Sequence, residues 1–308
     1  MKNFNKKMNQ NKILPLDLTF IILTYNEEKH IERCLHSIKS LAKKIIIIDS
    51  YSTDKTIEIS NKFDVIIYQN KFINQAKQLN WALENVNIPT QWIFKIDADE
   101  FLSDKSIELI AENFNTYSLK VNGFTLIRNL IFLNKLIKYG GLFPHTTTRI
   151  WKKNSGKSEN SWMDEHVIVD GATKLINADL IDHNIKSLKW QINKYKKYAA
   201  REAIEYFLKL KQIKKNNYEH KYVSKKKISK LKYYYKSPIF LRCIFLFLYV
   251  YVFRLGFLDR WQGLLFHVLH SLWFRLLVDL NILKIKTKLK TSNLNFSEII
   301  KLLYGYDV

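Results

Sequence analysis

Two carboxylates at the end of an apolar run are the residues best placed to do chemistry in this 308-residue chain. The run spans residues 92–96, and Asp97 and Asp99 follow it. Its composition predicts a buried β-strand whose carboxyl end opens into a cleft, where open α/β sheets bind their ligands. Side chains two positions apart share one face of an extended backbone, so these carboxylates would repel each other without a cation between them. The pair therefore suits Mg²⁺ or Mn²⁺, which would share its oxygen ligands with a bound diphosphate.

Polar residues also follow two earlier apolar runs. Residues 18–23 and 45–48 read as buried strands, the first followed by Tyr25, Asn26 and Glu27 and the second by Asp49. Further strands are predicted at 65–68, 92–96 and 174–178, with helices at 31–41, from Ser52 or Thr53 towards Lys62, and at 74–85. This alternation predicts a parallel, right-handed sheet whose polar strand ends converge at one edge. The sequence has no glycine-rich phosphate loop, which argues against a dehydrogenase or an ATPase and favours a metal as the phosphate holder.

Charge is distributed unevenly along the chain. The formal net charge is +22, and residues 186–236 alone carry 17 Lys and Arg against three Glu. Such an excess predicts an anionic partner, which is a nucleic acid, a lipid surface or a phosphorylated substrate. Two cysteines do not make a disulfide framework, and the basic N-terminus lacks the apolar run of a signal peptide. We therefore expect a cytoplasmic protein.

The pattern changes to long helices after Asn184. Residues 239–257 and 264–280 are apolar and rich in aromatic side chains, but only 11 uncharged residues separate Arg242 from Arg254. That length is too short to cross a bilayer as a helix. Together with the basic segment, these helices predict a peripheral anchor on the anionic inner face of the cell membrane. The alternative is that they pack on the catalytic part as ordinary core helices.

Several segments resemble the family 2 glycosyltransferases, which have the GT-A nucleotide-sugar fold. The similar segments are residues 18–26 and 45–53, Asp97-Ala98-Asp99-Glu100, Gly140-Gly141-Leu142-Phe143-Pro144, Arg149-Ile150-Trp151 and Trp162-Met163-Asp164-Glu165-His166. Within the family, they are most similar to the bacterial branch that builds lipopolysaccharide core and other surface polysaccharides. The resemblance implies an α/β fold, with a mostly parallel sheet flanked by helices, and hexosyl transfer from a nucleotide sugar, usually a UDP-sugar.

The resemblance also implies roles for individual residues. Asp49 would contact the base, Asp97 would lie near the ribose and the metal, and Asp99 would bind the metal, with His183 as a weaker third ligand. Glu165 would be the catalytic base, with its neighbour Asp164 as a rival. Leu79 replaces the basic member of a family signature, so Lys77 is a substitute for its diphosphate contact. The other residues implied in the nucleotide-sugar pocket are Thr24, Tyr25, Asn26, Glu27, Gln78 and Asn80.

These expectations combine into an inverting, Mg²⁺- or Mn²⁺-dependent transferase with a nucleotide-sugar donor and a saccharide acceptor, which is expected to be lipid-linked. The acceptor hydroxyl is a poor nucleophile, so one carboxylate must accept its proton during direct displacement. Two alternatives stay open, namely a basic nucleic-acid-binding protein and an inactive scaffold that binds sugar nucleotides. Against the first, the sequence shows no nucleic-acid-binding motif, and we expect no nucleic-acid partner. The predicted division is a flexible N-terminus (1–16), a catalytic domain (17–184), a membrane-associating helical extension (185–283) and a loose basic tail (284–308) with one short helix.

Overall fold

The computed structural model describes residues 15–159, 161–163, 166–214 and 234–307. Within these ranges, nine strands form one mixed sheet with helices packed on both faces, and two more strands form a small second sheet. The expected α/β architecture is therefore present. Leu16, which we placed in a flexible N-terminus, is buried and its backbone N–H donates to the carbonyl of Leu41 at 3.0 Å.

The first half of the chain alternates strands with helices. In chain order these are β1 (Leu18–Thr24), α1 (Ile31–Ile38), β2 (Lys44–Asp49), α2 (Thr56–Ser60), β3 (Ile66–Gln69), α3 (Gln75–Asn85) and β4 (Trp92–Asp97). The strands lie in the order β3-β2-β1-β4, and all of them are parallel. The register pairs Thr24 with Asp49 and Leu23 with Asp97. Three of the predicted site residues therefore lie at the same edge of the sheet.

The second half of the sheet contains antiparallel strands. The elements after β4 are β5 (Glu100–Leu102), α4 (Asp104–Tyr117), β6 (Gly123–Phe132), β7 (Lys135–Ile137), β8 (His145–Lys152), β9 (Gly156–Ser158), β10 (Val167–Val169) and β11 (Thr173–His183). Of these, β9 and β10 form the small second sheet. β8 lies between β4 and β6 and is antiparallel to both, while β11 runs parallel to β6 and antiparallel to β5. This arrangement brings side chains of β8 and β11 to the polar edge of the parallel strands.

Apolar side chains alternate between the two faces of the sheet along β1, and each face holds helices through these side chains. Phe20 and Ile22 of β1 face a core that α1 and α4 complete, whereas Ile21 faces a second core with Leu79 of α3. Asn74 caps α3 through its side chain, which accepts from the N–H of Lys77, and Ser103 caps α4 in the same way. These caps fix where both helices begin at the sheet edge.

The remaining described elements are helical. They are α5 (Leu188–Lys214), a 3₁₀ turn (Tyr234–Lys236), α6 (Leu241–Leu248) with a π-helical continuation (Tyr249–Phe253), a second 3₁₀ turn (Gly256–Asp259), α7 (Arg260–His267) with a second π-helical segment (Val268–Trp273), α8 (Phe274–Thr291) and α9 (Phe296–Tyr304). α5, α8 and α9 share a core that includes Ala203, Val278 and Ile300. Phe266 of α7 packs instead against Phe132 and Ile137 of the β6–β7 hairpin, which ties the helices to the sheet.

One helical stretch in the described ranges, Gly256–Thr291, is long and apolar enough to cross a membrane by length and composition alone. In its most apolar window, 44% of the residues are buried inside the protein. The carboxylate of Asp279 in this stretch is fully buried and forms an ion pair with Arg242 of α6. This stretch therefore also packs as a core helix among the helices of residues 188–214 and 234–304, called the helical region below.

The structure differs from the sequence-based expectations at three elements. α2 begins at Thr56, not after a cap at Ser52 or Thr53, because both of those residues bond to the loop after β1. β11 continues to His183, whereas we ended this strand at residue 178. The tail after residue 284 is not loose, because α8 extends to Thr291 and α9 buries apolar side chains in the core with α5.

Candidate active site

Asp49 is the centre of a hydrogen-bond cluster that joins the loops after β1 and β2. The Thr24 hydroxyl donates to its Oδ1 at 2.9 Å, and the Ser52 hydroxyl donates to the same atom at 2.5 Å. The Ser52 backbone N–H donates to Oδ2 at 2.8 Å. Asn26 extends the cluster, since its N–H donates to the Ser52 hydroxyl and its side-chain oxygen accepts from the N–H of Thr53. Because Asp49 is fully buried, these donors satisfy its carboxylate oxygens and hold the two loops together.

Glu27 connects the first loop to the segment that leads into α5. Its carboxylate accepts from His30 Nδ1 at 2.6 Å and from Lys186 Nζ at 2.7 Å. Lys186 also donates to the carbonyl of Asn26, and His30 Nε2 accepts from the N–H of Ile185. Glu27 therefore positions this side of the site. Tyr25, in contrast, is more than half exposed at the rim.

Asp97 lies inside a network of buried charges. Lys95 donates to its Oδ1 at 2.6 Å, and Arg149 of β8 approaches its Oδ2 at 3.3 Å. Arg149 and Arg128 also pair with the buried Glu100, at 2.5 and 2.9 Å. Burial opposes ionisation of Asp97, but these cations outweigh it and hold the pKa of Asp97 well below its usual range. Both carboxylate oxygens of Asp97 are thus occupied by protein cations.

Asp99 lies next to this network and has a free oxygen. Its Oδ2 accepts from the side-chain amide of Asn184 at 3.0 Å, while no described residue donates to its Oδ1. Its backbone carbonyl accepts from the N–H of His183 and from Arg33. Burial opposes its ionisation, and Lys194 together with the bond from Asn184 overcomes that effect and lowers the pKa of Asp99. Asp99 is therefore an ionised carboxylate with one oxygen available to a ligand.

Two further titratable groups of β11 surround Asp99. His183 Nδ1 lies 3.2 Å from Arg33, and burial together with the charge of Arg33 lowers the pKa of His183. The imidazole is thus neutral near pH 7. Asp182 accepts from Arg128 at 2.7 Å, yet burial raises its pKa to about 7, because the carboxylates of Asp99 and Glu100 offset the effect of Arg128.

Of the three predicted metal ligands, Asp97 and His183 already contact protein cations, and among the described residues Asp99 does so only through its backbone carbonyl. In the part of the chain that the structure describes, no three His, Cys, Asp or Glu side chains are grouped to hold a metal ion. Asp97 is paired with cations, and His183 directs one ring nitrogen at Arg33. Asp99 fits a site of a different kind, in which one carboxylate and the phosphate oxygens of the substrate hold Mg²⁺ together.

The residues predicted on α3 make protein contacts. Gln78 is buried, where it donates to the Ser50 hydroxyl at 3.2 Å and accepts from the Asn70 side chain at 2.9 Å. Asn80 bonds to both the N–H and the carbonyl of Ser158 in β9. Lys77 is exposed at the first turn of α3. Gln78 and Asn80 therefore shape the site by holding neighbouring loops, while Lys77 is accessible to a ligand.

Asp164 and Glu165, the predicted catalytic acids, lie outside the described residues. The segment just before them is anchored on α5, since Glu205 accepts from the Ser161 hydroxyl at 2.6 Å and from the Trp162 N–H at 2.8 Å. The Trp162 ring also packs against Tyr306, with 5.5 Å between the ring centres. The helical region therefore positions the start of this segment.

Sequence reasoning missed most of the cations at the site. In the sequence, Lys95 is one residue of an apolar run, and Lys186 and Lys194 are two of the many lysines in the basic stretch 186–236. Arg149 stood in a segment that carried the family resemblance, but its pairing with Asp97 and Glu100 required the position of β8 beside β4. A lysine two residues before Asp97 on the same strand face was the signal that could have been found.

The sequence profile described as glycosyl transferase family 2 matches residues 19–182, which is more than half of the chain. The chain therefore belongs to glycosyl transferase family 2. Its sheet with flanking helices is the GT-A fold.

Individual relatives match shorter parts of the chain. An uncharacterized glycosyltransferase of Rickettsia typhi is 28% identical over 198 residues, which cover 60% of this chain and 66% of that protein. The SPbeta prophage-derived glycosyltransferase SunS of Bacillus subtilis is 35% identical over 97 residues, 31% of this chain and 23% of SunS. The lipopolysaccharide core biosynthesis glycosyltransferase LpsC of Rhizobium meliloti is 34% identical over 102 residues, 32% of this chain and 37% of LpsC. Each alignment spans less than two thirds of the relative.

Solved structures align at low identity. TarS 1–349 of S. aureus in complex with UDP-GlcNAc aligns over 89% of this chain and 92% of that chain, at 12% identity and a TM-score of 0.42. Glucosyl-3-phosphoglycerate synthase of Mycobacterium tuberculosis with Mn²⁺ and UDP-glucose aligns over 37% of this chain and 43% of that chain, at 16% identity and a TM-score of 0.31. The family assignment rests on the sequence profile.

Proposed function

We propose that this enzyme transfers a sugar from a UDP-sugar to a saccharide acceptor of bacterial surface polysaccharide synthesis, with inversion and with a divalent metal ion. One observation carries the proposal. The strand register places Asp49 and Asp97 at the same sheet edge as the loop of residues 24–27, and Asp99 follows there with a free carboxylate oxygen. The similarity to LpsC supports the surface-polysaccharide role.

The nucleoside would bind between the loops after β1 and β2. These loops are joined by the bonds of Asp49 and Ser52, so they are ordered before the ligand arrives and little further ordering is needed on binding. Tyr25 and Tyr51 are both more than half exposed on these loops and offer rings for stacking on a base. Lys77 at the start of α3 is a free cation for the phosphates.

Asp99 would hold the metal ion with its free oxygen, and the diphosphate would supply further ligands. Mg²⁺ in nucleotide sites is commonly bound by one or two carboxylates and substrate phosphates, so one protein carboxylate is sufficient. The ion, when bound, neutralises charge that develops on the leaving diphosphate. Asp97, with its oxygens on Lys95 and Arg149, would act mainly by fixing the strand end that presents Asp99.

Glu165 is the proposed general base, and Asp164 is the rival because the two are adjacent. The base accepts the proton of the acceptor hydroxyl while that oxygen attacks the anomeric carbon and the bond to the diphosphate breaks. A single base and direct displacement give inversion, since retention through a covalent intermediate would need a second carboxylate as nucleophile. Glu205 supports this placement by anchoring the preceding residues Ser161 and Trp162 on α5.

A lipid-linked acceptor would require the enzyme to stay near a membrane, and the helical region offers a surface for that. Exposed apolar side chains are concentrated on α6, its continuation and the start of α7, where Phe245, Phe253 and Trp261 are the most exposed at 65%, 76% and 61%. The charge of Arg242 on α6 is buried in its ion pair and does not interrupt this surface. We propose peripheral attachment to the inner, anionic face of the cell membrane, aided by the basic segment. The seven lysines of residues 221–236 fall mostly on residues outside those that the structure describes.

The proposed domain boundaries follow from these assignments. Residues 17–184 would form the catalytic domain and residues 185–283 the membrane-associating extension. α8 and α9 continue the packed helical region beyond that boundary, and Tyr306 after α9 packs on the same region.

The test is the Asp99→Asn variant, in which the ligand oxygen loses its charge but the bond from Asn184 has an isosteric partner. We expect loss of UDP release from UDP-sugars and loss of the gain in UDP affinity that Mn²⁺ gives the wild type, with an unchanged melting temperature. Asp64→Asn is the matched control, because Asp64 is 91% exposed and precedes the amino end of β3, opposite the sheet edge that carries the site. Undiminished Mn²⁺-dependent UDP affinity in Asp99→Asn, or full turnover in EDTA, would contradict the metal assignment.

A further inference from the structure

Lys194 on α5 is a partly buried cation whose hydrogen-bond donors are unused. Its ammonium group lies over the rings of Trp190 and Tyr198, at 5.1 and 5.3 Å from the ring centres. Among the described residues, none accepts a hydrogen bond from it or forms a close ion pair with it. The two rings therefore hold the side chain in place, while its three N–H donors remain available.

Three carboxylates from different parts of the fold act electrostatically on Lys194. They are Asp99 after β4, Asp182 of β11 and Glu27 in the loop after β1. Burial disfavours the charged ammonium, but Tyr198 and these carboxylates outweigh it and raise the pKa of Lys194 above its ordinary value. The side chain is therefore a permanent cation at the edge where the donor would bind.

Four other cations at this edge are already paired with carboxylates. Lys95 and Arg149 contact Asp97, Arg128 contacts Asp182, and Lys186 contacts Glu27, all at 3.3 Å or less. A cation with a satisfied carboxylate partner gains less from an incoming phosphate, because the existing bond must be weakened first. Lys194 has no such partner to give up.

The path of α5 places Lys194 between two walls of the proposed donor pocket. Near its start, Asn184 bonds to Asp99 and Lys186 bonds to Glu27. Two turns beyond Lys194, the guanidinium of Arg201 lies 5.1 Å from the ring centre of Phe72, in the loop before α3. α5 therefore runs from the metal side of the pocket to the loop that precedes Lys77.

We propose that Lys194 binds the diphosphate of the nucleotide-sugar donor and stabilises it as the leaving group. This inference rests on the proposed function. As the anomeric C–O bond breaks, its electron pair passes to the diphosphate oxygen, and the new negative charge is shared with the Lys194 ammonium group. Lys194 keeps its proton throughout, and the proton of the acceptor hydroxyl goes to the base.

The experiment compares the affinities of UDP and uridine by titration calorimetry, with and without Mn²⁺, in wild type and Lys194→Met. The Met side chain keeps the contact with Trp190 and Tyr198 but removes the charge. We expect UDP affinity to fall about 10-fold or more, as for loss of a charge-assisted hydrogen bond, and uridine affinity to stay unchanged. Lys194→Arg should retain most of the UDP affinity. Lys197→Met is the control, since Lys197 is exposed on the same helix.

The outcomes separate this inference from the proposed function. If wild type binds UDP and Lys194→Met binds it equally well, or loses UDP and uridine affinity to the same extent, Lys194 is not a diphosphate ligand and the proposed function is unaffected. If wild type binds no nucleoside diphosphate at all, both proposals are wrong. Lys194→Gln serves as a second charge-free variant with the same expected pattern if the Met variant is poorly folded.

Discussion

The buried ion pair between α6 and α8 gives the sharpest prediction about stability. Arg242 Nε donates to both oxygens of Asp279, at 3.0 and 3.1 Å, and its terminal nitrogen donates to Oδ1. Asp279 also accepts from the Phe240 N–H at 3.1 Å and from the Cys243 thiol at 3.3 Å. Arg242 is 4% exposed and Asp279 is fully buried. The pair therefore lies in the interior of the helical region.

Asp279→Ala should strongly destabilise the protein, because it leaves the Arg242 charge buried without its partner. Removal of one member of a buried ion pair costs about 3–5 kcal/mol. With an unfolding entropy of about 2.1 cal/mol/K per residue over this chain, each kcal/mol shifts the melting temperature by about 1.5 °C. The expected decrease is therefore about 5–8 °C, measured by circular dichroism during heating.

Two further variants test the reasoning. Arg242→Met combined with Asp279→Leu removes both charges, and replacing a whole buried pair by apolar residues is often neutral or stabilising, so most of the lost stability should return. Asp307→Ala removes an exposed partner of Lys301 and should shift the melting temperature by less than about 1.5 °C. If Asp279→Ala shifts it no more than Asp307→Ala, the pair is not desolvated and this packing of α6 on α8 is wrong.

Three other predictions concern catalysis, membrane binding and pH. Glu165→Gln should cut transfer by about 10²-fold or more and leave UDP affinity near wild type, because only the proton acceptor is lost. Phe245→Glu combined with Phe253→Glu should reduce co-sedimentation with anionic vesicles, since it puts charges on the exposed apolar surface. Burial raises the pKa of Asp182 to about 7, so the folded state keeps a proton that the unfolded chain loses above about pH 4. Stability against urea should therefore fall as the pH rises from about 4 to about 7, and Asp182→Asn should flatten this dependence.

Each of these has a result that would contradict it. If Asp164→Asn is the crippling change, the base is one residue earlier, and if neither change matters, it lies elsewhere. If the wild-type protein stays in the supernatant at every lipid composition and at low salt, the exposed apolar surface does not bind membranes. If the stability of Asp182→Asn against urea depends on pH as that of the wild type does, another group causes the fall in stability between about pH 4 and about pH 7.

Local patterns were sufficient to predict the first half of the fold. β1, β2 and β4 are apolar runs that end in polar residues, and the parallel register then fixes Asp49 and Asp97 at one edge. A period-two apolar pattern and a capped helix such as α3 depend on neighbours along the chain, so the sequence contains the signal. The motif residues Asp97 and Asp99 were found for the same reason.

The electrostatic surroundings of the site depend on contacts between distant segments. Arg149 reaches Asp97 and Glu100 because β8 inserts antiparallel between β4 and β6, about 50 residues along the chain. In the sequence, Lys194 is one of many lysines in the basic stretch 186–236, and only the packing of α5 brings it within electrostatic reach of Asp99 and Asp182. No local pattern encodes such pairings, since they arise from which strands and helices pack together.

The helical region shows the same distinction most clearly. From the sequence, Arg242 was a charge that interrupted an apolar run, which indicated a helix lying at a membrane surface. In the tertiary structure that charge meets Asp279 inside the protein, while the apolar side chains around it remain exposed. The sequence determined that this segment is helical and apolar. The packing of α6 against α8 decided which of its faces is covered, because a buried charge is stable only where an opposite charge from another element meets it.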